Sequence, residues 1–142
     1  MEKIVIPLSK NWHGFSAETL WGAKIDTNLY KIVSVPFFAN NISCGDIVEA
    51  HIDKNDKRLK YTKTISKGNN CTYRIVFADS IKPEDREKLI KLLKEYGEIE
   101  YYKEADLFAI SVHKQKVDKL FKVLMQLEED GLLDFEEGDC VK

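Results

Sequence analysis

The side chains that could support catalysis or metal binding are three histidines and three cysteines. They are His13, His51, His113, Cys44, Cys71 and Cys140. No histidine has a carboxylate or thiol three or four residues away on one predicted helix, and no C-x-x-C pair occurs, so the spacing is not that of a metal site. We therefore predict no metal and no cofactor, and we expect all three thiols to be reduced.

One grouping near the middle of the first half could form a nucleophilic centre. Cys44, Asp46 and His51 lie close together in the sequence, and a thiolate needs a neighbouring base to be activated. Gly45 followed by Asp46 is also typical of the start of a strand, where glycine adapts the backbone and aspartate accepts hydrogen bonds from nearby amides. We favour this structural interpretation, with His51 on a strand surface, and predict that the chain is not an enzyme.

A second group could line a pocket for a small molecule. Its members are Glu18, Trp21, Phe37, Phe38 and Tyr73, one carboxylate among four aromatic rings. Glu18 could be a polar anchor in such a pocket. Large aromatic residues in short strands usually belong to the core, however, so we favour Trp21 inside a barrel with Glu18 at its rim.

Charge is distributed unevenly along the chain. The acidic residues near the C-terminus, with no lysine or arginine among them, are Glu128, Glu129, Asp130, Asp134, Glu136, Glu137 and Asp139. The cations of residues 54–67 are Lys54, Lys57, Arg58, Lys60, Lys63 and Lys67, opposed only by Asp56. An acidic segment of this kind is either a solvated end or a docking surface for a basic protein. The net charge of −2 makes nucleic acid an improbable partner.

The elements that must position these residues fall into two halves. Before Pro83 there are short alternating runs with tight turns and no helical period, which predicts a small antiparallel β-barrel or curled sheet. Residues 72–136 follow the order strand, helix, strand, strand, helix, strand, because two one-sided helical stripes lie between alternating runs. We assign an α+β fold with subdomains at 1–70 and 71–142, the second ferredoxin-like.

This plan leaves one face of the second sheet without helices. Alternation places Val76, Tyr102, Leu107 and Ala109 on that face. A half-apolar face needs a cover, either the first half of this chain or another molecule such as a second copy. The opening residues lack the features of a signal peptide, and no run of eighteen apolar residues occurs, so we expect a cytoplasmic protein with no membrane partner.

Three short motifs carry a resemblance to a known family. They are Glu18-Thr-Leu-Trp21, Pro36-Phe-Phe-Ala39 and Gly45-Asp-Ile-Val48. Followed by a basic strand and the second half, they resemble a bacterial family of domains of unknown function with the pattern E-x-L-W, P-F-F, G-D-x-V. Some members of that family resemble small immunity-type proteins that accompany secreted toxins. The resemblance implies the fold and favours binding over catalysis, without assigning any functional residue.

The function expected from these observations is non-catalytic protein binding. The partner that suits an acidic surface is a basic toxin domain, for example a nuclease, which must present cations to phosphates. The alternative is a small-molecule sensor or enzyme whose pocket lies between the two halves.

Overall fold

A computed structural model describes residues 1–9 and 14–140 of the chain. His13 therefore lies outside the described residues. The described residues form a mixed α+β structure with nine strands and two α-helices. The strands are β1 (Glu2–Pro7), β2 (Ala17–Asp26), β3 (Leu29–Ile32), β4 (Ile47–Ile52), β5 (Leu59–Ser66), β6 (Asn70–Phe77), β7 (Gly97–Tyr102), β8 (Leu107–His113) and β9 (Leu133–Asp139). The helices are α1 (Pro83–Lys94) and α2 (Val117–Glu129).

The first five strands close into a barrel, as the turn-rich pattern predicts. Each strand pairs antiparallel with the next. Because the number of strands is odd, the first and last run in the same direction, and they close the barrel in parallel at Val5 and Lys60. Its core consists of Ile4, Ile6, Leu20, Tyr30, Ile32, Ala39, Ile42, Val48, Ala50 and Leu59.

The remaining strands form a four-stranded antiparallel sheet in the order β7-β8-β6-β9. One face packs against the two helices, whose buried residues include Leu93, Leu120 and Leu124. Pro83 begins the first helix at a position where no amide hydrogen is needed. The order of elements expected over residues 72–136 is observed. The division of the chain into subdomains at residues 1–70 and 71–142 stays a prediction.

Gly97 and Gly131 each follow a helix but differ in conformation. Gly131 has φ +76°, the left-handed conformation expected after a helix. Gly97 is not in that region but is the first residue of β7, where a Cβ atom would overlap the carbonyl oxygen of Ser111. Close approach of two strands, rather than helix termination, therefore requires glycine at position 97.

The expectation of three reduced thiols is wrong for two of them. Cys71, at the start of β6, and Cys140, just after β9, form a disulfide bond. The two residues are far apart in sequence, but the pairing of β6 with β9 brings their backbones together. Cys44 is the free thiol among the described residues.

Candidate functional site

A loop of the barrel covers part of the sheet face opposite the helices. This loop, residues 33–46 between β3 and β4, is called the bridging loop. Phe37 and Phe38 place their rings 5.5 and 5.4 Å from that of Tyr102 on β7. Phe15 adds a third ring at 5.8 Å. The first half of the chain thus covers this face in part: Leu107 and Ala109 are buried, whereas Val76 stays 43% exposed.

Glu18 holds one end of the bridging loop. Its carboxylate accepts hydrogen bonds from the backbone N–H groups of Phe37 at 2.7 Å, Phe38 at 3.0 Å and Ala39 at 2.9 Å. The side chain is only 9% exposed. A buried carboxylate is stable when several donors satisfy it, so the first two sequence motifs form a single structural unit.

Asp46 holds the other end in a similar way. Its fully buried carboxylate accepts from the N–H groups of Ser43 at 2.9 Å and Gly68 at 2.8 Å, and from the ammonium group of Lys67. Burial opposes the charge on Lys67, but hydrogen bonds to Asp139 and Asp46 outweigh it and raise the pKa of the ammonium group. The third motif is therefore also an anchor.

Arg74 joins the middle of the bridging loop to the sheet. From the centre of β6 its guanidinium donates to the carbonyl of Ala39 at 2.6 Å, to Asn40 Oδ1 at 3.3 Å and to Glu136 at 3.2 Å. Gly138 packs closely against the guanidinium group. The side chain is 4% exposed, and its Nε is the one buried side-chain nitrogen or oxygen without a partner among the described residues.

Beside Arg74 lies a cavity of about 240 Å³ on the four-stranded sheet of the second half. Its lining consists of Arg74, Val76, Leu107, Asp134, Phe135 and Glu136. The lining therefore combines apolar side chains with charged groups of both signs.

The residues predicted to line a pocket are only partly brought together. Glu18, Trp21 and Phe37 line a recess of about 370 Å³, but the carboxylate of Glu18 is already occupied by the bridging loop. Phe38 packs against Tyr102 instead. Tyr73 lies on the helix-facing side of the sheet, where its hydroxyl donates to Glu137 at 2.8 Å.

Trp21 and Glu18 occupy the reverse of their expected positions. Trp21 points out of the barrel and is 44% exposed, whereas Glu18 is buried. The sequence already indicated that Glu18 points inward. Side chains alternate between the two faces of a strand, so Glu18 lies on the same face of β2 as Leu20 and Gly22, which point into the barrel.

The predicted acidic docking residues divide into two sets. Three of them hold the fold together, because Glu136 pairs with Arg74, Glu137 accepts from Tyr73, and Asp139 accepts from Ser43 at 2.7 Å and from Lys67 at 2.8 Å. These contacts make much of β9 a structural strand.

The other four acidic residues lie at the surface around the end of α2. Glu128 accepts from the N–H group of Phe135 at 3.3 Å, and Asp130 accepts from Gln126 at 3.0 Å. Glu129 and Asp134 are exposed as well. The last turn of α2 contains no cation, so its acidic residues face the negative end of the helix dipole.

A comparison with protein families identifies the chain. The sequence model of a domain of unknown function, DUF4265, matches residues 18–135, which include all three motifs. The chain belongs to the DUF4265 family. No curated protein matches the sequence.

One solved structure supports the fold of this DUF4265 protein. A hypothetical protein from Neisseria gonorrhoeae, described as a novel crystal structure, superposes with a TM-score of 0.79. The match has 24% sequence identity and covers 98% of this chain and 95% of the other. The similarity concerns the fold alone.

Each residue considered for catalysis in this DUF4265 chain has a contact outside that group. Burial and the nearby charge of Glu98 raise the pKa of Cys44, whose thiol donates to the carbonyl of Val33 at 3.2 Å. Asp46 is occupied by the bridging loop, and His51 lies 3.4 Å from Glu49. Across residues 1–9 and 14–140 no three potential ligands are grouped for a metal ion, and no helix is long and apolar enough to cross a membrane.

Sequence analysis missed Arg74, Ser43 and Lys67 as the residues that join the two halves. A signal existed only for Arg74, a charged residue inside a run of buried strand residues, because isolated charges are rarely buried without a partner.

Proposed function

We propose that this DUF4265 protein is a non-catalytic binding protein, and most concretely an immunity-type protein that neutralises a basic toxin domain by direct contact. The contact surface in this proposal is the exposed end of α2, with Glu128, Glu129 and Asp130. Asp134 on β9 extends it. Glu136, Glu137 and Asp139 stabilise the fold and are not part of this surface. The proposed surface is therefore smaller than the acidic segment predicted from the sequence.

The observation that carries the proposal is the acidic C-terminal end of α2. Three carboxylates at the negative end of a helix, without a cation in the last turn, oppose the helix dipole and reduce its stability by a few tenths of a kcal/mol each. A positively charged partner would remove this unfavourable interaction. Charge complementarity of this kind steers association and selects the partner.

The same helix offers an apolar centre for the interface. Phe121 and Met125 are 41% and 51% exposed and lie one turn apart on α2. The ring of Phe121 packs edge-on against Phe135 of β9, with 5.8 Å between ring centroids. An apolar centre with a charged rim is the usual composition of a protein interface.

The proposal includes a ferredoxin-like second half and a cytoplasmic location. Support for the first comes from the strand order β7-β8-β6-β9 with both helices on one face, which is the order this fold requires. A disulfide bond is typical of oxidising compartments. A cytoplasmic location therefore implies that Cys71 and Cys140 are thiols in the cell and form the bond when the protein is oxidised after isolation.

A second candidate is the binding of a small molecule. It is favoured by the cavity beside Arg74, which is lined by residues of the second half. Val76 and Leu107 would contact an apolar portion of the ligand, and the guanidinium group of Arg74 would pair with a ligand carboxylate. A thermal-shift screen of small carboxylic acids, with Arg74→Lys as the variant that loses the response, separates this candidate from the first.

The first candidate is tested with the product of the adjacent gene as the partner. We expect co-purification and a dissociation constant below about 1 µM, as for a specific interface of standard size. The triple variant E128K/E129K/D130K should weaken binding at least a hundredfold. The control E84K/E87K reverses two exposed charges on α1 and should bind like the wild type. If both variants bind with equal affinity, the acidic surface is not the binding site. If the wild type forms no complex at 10 µM, the proposed function is wrong.

A homodimer remains a further prediction, and sizing at several protein concentrations tests it. The barrel covers part of the sheet face through which two copies could pair, and Val76 on that face stays exposed.

A further inference from the structure

We infer that the outer surface of the barrel carries a second binding site, for a nucleotide, either free or as a unit of a single strand. The site is a recess of about 860 Å³ at the ends of β1, β2 and β5. Its lining consists of Met1, Glu2, Lys3, Val5, Thr19, Trp21, Ile52, Lys57, Arg58 and Leu59. This inference is independent of the proposed function, since it involves none of the acidic residues of α2.

An exposed indole provides the surface for a base. Trp21 lies directly opposite Lys3 in the pairing of β1 with β2, and the ammonium group of Lys3 lies 5.3 Å from the indole ring. Nearly half of the tryptophan surface stays open to solvent. A planar base can stack on such a ring, and a neighbouring cation strengthens the attraction to a phosphorylated ligand.

The cations of the recess lack carboxylate partners. Among the described residues neither Lys57 nor Arg58 forms an ion pair. Asp53 and Asp56 of the same turn are both engaged by Lys60, at 3.1 and 2.8 Å.

One acidic residue also lines the recess, but it faces another group. Glu2 lies against the hydroxyl of Tyr30, whose pKa is raised by burial and then by this carboxylate. The lining therefore contains three cations, Lys3, Lys57 and Arg58, and one carboxylate. Its net charge of +2 is available to phosphate groups.

Lys57 lies in the turn between β4 and β5, where its N–H group donates to the carbonyl of Asp53 at 2.9 Å. It has φ +61°, a left-handed conformation that glycine or asparagine adopts more readily than lysine. Lys57 lines the recess together with Arg58.

The test measures binding of two probes by the full chain. Fluorescein-labelled ten-residue oligothymidylate represents a strand, and AMP represents a free nucleotide. We expect oligothymidylate to bind with a dissociation constant below 1 mM in low salt. Two phosphate contacts predict a slope of about −1.4 for log affinity against log salt concentration. Binding of AMP at a comparable concentration would assign the site to free nucleotides, and binding of the strand alone would assign it to single-stranded nucleic acid.

Two variants and a control decide whether this recess is the site. Trp21→Ala should weaken binding at least about fivefold through loss of stacking. Lys57→Asn should weaken it and reduce the salt slope by about 0.7, while the midpoint of urea unfolding stays equal or rises, because asparagine suits the left-handed turn. Lys88→Ala, on the exposed side of α1, is the control and should bind like the wild type. No binding of either probe, wild-type affinity in Trp21→Ala, or equal loss in Lys88→Ala overturns the inference.

Discussion

Ser43 Oγ lies 2.7 Å from a carboxylate oxygen of Asp139, so the bridging loop of the barrel is joined to the last strand of the sheet. The same hydroxyl lies 2.6 Å from that of Thr72, the cross-strand partner of Asp139. Lys67 reaches this carboxylate from the segment between β5 and β6. An acid expected to contact a partner thus belongs to the contact between the two halves.

Asp139 and Glu129 should respond differently to removal of the carboxylate. Asp139→Ala removes one hydrogen-bond acceptor from Ser43, which keeps Thr72 as a partner, and one from the ammonium group of Lys67, which keeps Asp46. For the loss of these two bonds we expect the free energy of unfolding to fall by about 2 kcal/mol. Glu129→Ala removes a negative charge from the wrong end of a helix and should leave stability unchanged or raise it by about 0.5 kcal/mol. Urea unfolding measures both. Equal losses would show that the two acids have the same structural role.

Glu18 should be the most sensitive single position of the barrel. Glu18→Ala leaves three N–H groups of the bridging loop without acceptors, and we expect a loss of about 3 kcal/mol. Glu18→Gln keeps one acceptor oxygen and should lose about half as much. Thr19→Ala, the neighbouring outward-facing position, should change stability by less than about 0.5 kcal/mol. If Glu18→Ala unfolds at the wild-type urea concentration, the carboxylate does not hold the loop.

These contacts explain how much of the structure follows from the sequence. Alternating residues in β6 and the three- and four-residue spacing in α2 determine local elements, because each pattern matches one backbone repeat. The bond between Glu18 and Phe38 has no such pattern, since it joins residues twenty positions apart through a loop without a regular repeat. The pairing of Cys71 with Cys140 likewise cannot be predicted from local sequence, because it depends on β9 lying beside β6.

The disulfide bond makes the junction between the halves sensitive to reduction. Cys71 and Cys140 are adjacent in sequence to Thr72 and Asp139, the two residues that contact Ser43. Cross-linking positions 69 residues apart should stabilise the fold by about 4 kcal/mol through the entropy of the unfolded chain. We expect dithiothreitol to lower the guanidinium midpoint of the wild type.

Two serine variants isolate that effect. Cys140→Ser should unfold at the midpoint of the reduced wild type and should not respond to dithiothreitol. Cys44→Ser retains the bond and should respond as the wild type does. Hydrogen exchange should locate the change, with faster exchange in the bridging loop of Cys140→Ser. An unreduced wild type that already behaves like Cys140→Ser would mean that the bond does not form.

Gly97 and Gly131 should tolerate alanine to different degrees. At Gly131 the backbone has φ +76° but the space around it is open, so alanine should lower stability by about 1 kcal/mol. At Gly97 a methyl group meets the carbonyl of Ser111, so β7 must move away from β8 and the loss should exceed about 3 kcal/mol. Thermal unfolding of both variants measures the difference. A smaller loss at Gly97 would contradict the register of these two strands.

Tyr73 should make the protein sensitive to alkaline pH. Burial, with the hydrogen bond to Glu137 and its negative charge, raises the pKa of the Tyr73 hydroxyl well above its ordinary value near 10. Above pH 10 the unfolded chain loses a proton that the folded chain retains, so the free energy of unfolding decreases as the pH rises. Below pH 9 the hydroxyl keeps its proton in both states, so this group should not make the free energy of unfolding vary with pH.

Tyr73→Phe provides the measurement. The variant loses the bond to Glu137 and about 1 kcal/mol at pH 7, but its stability should fall less steeply between pH 9 and 11 than that of the wild type. Some decrease should remain, because the raised pKa of Lys67 acts in the same direction: its ion pairs persist in the folded chain while the unfolded lysine loses its proton. Tyr96→Phe serves as the control tyrosine, and parallel pH profiles for all three proteins would refute the assignment to Tyr73.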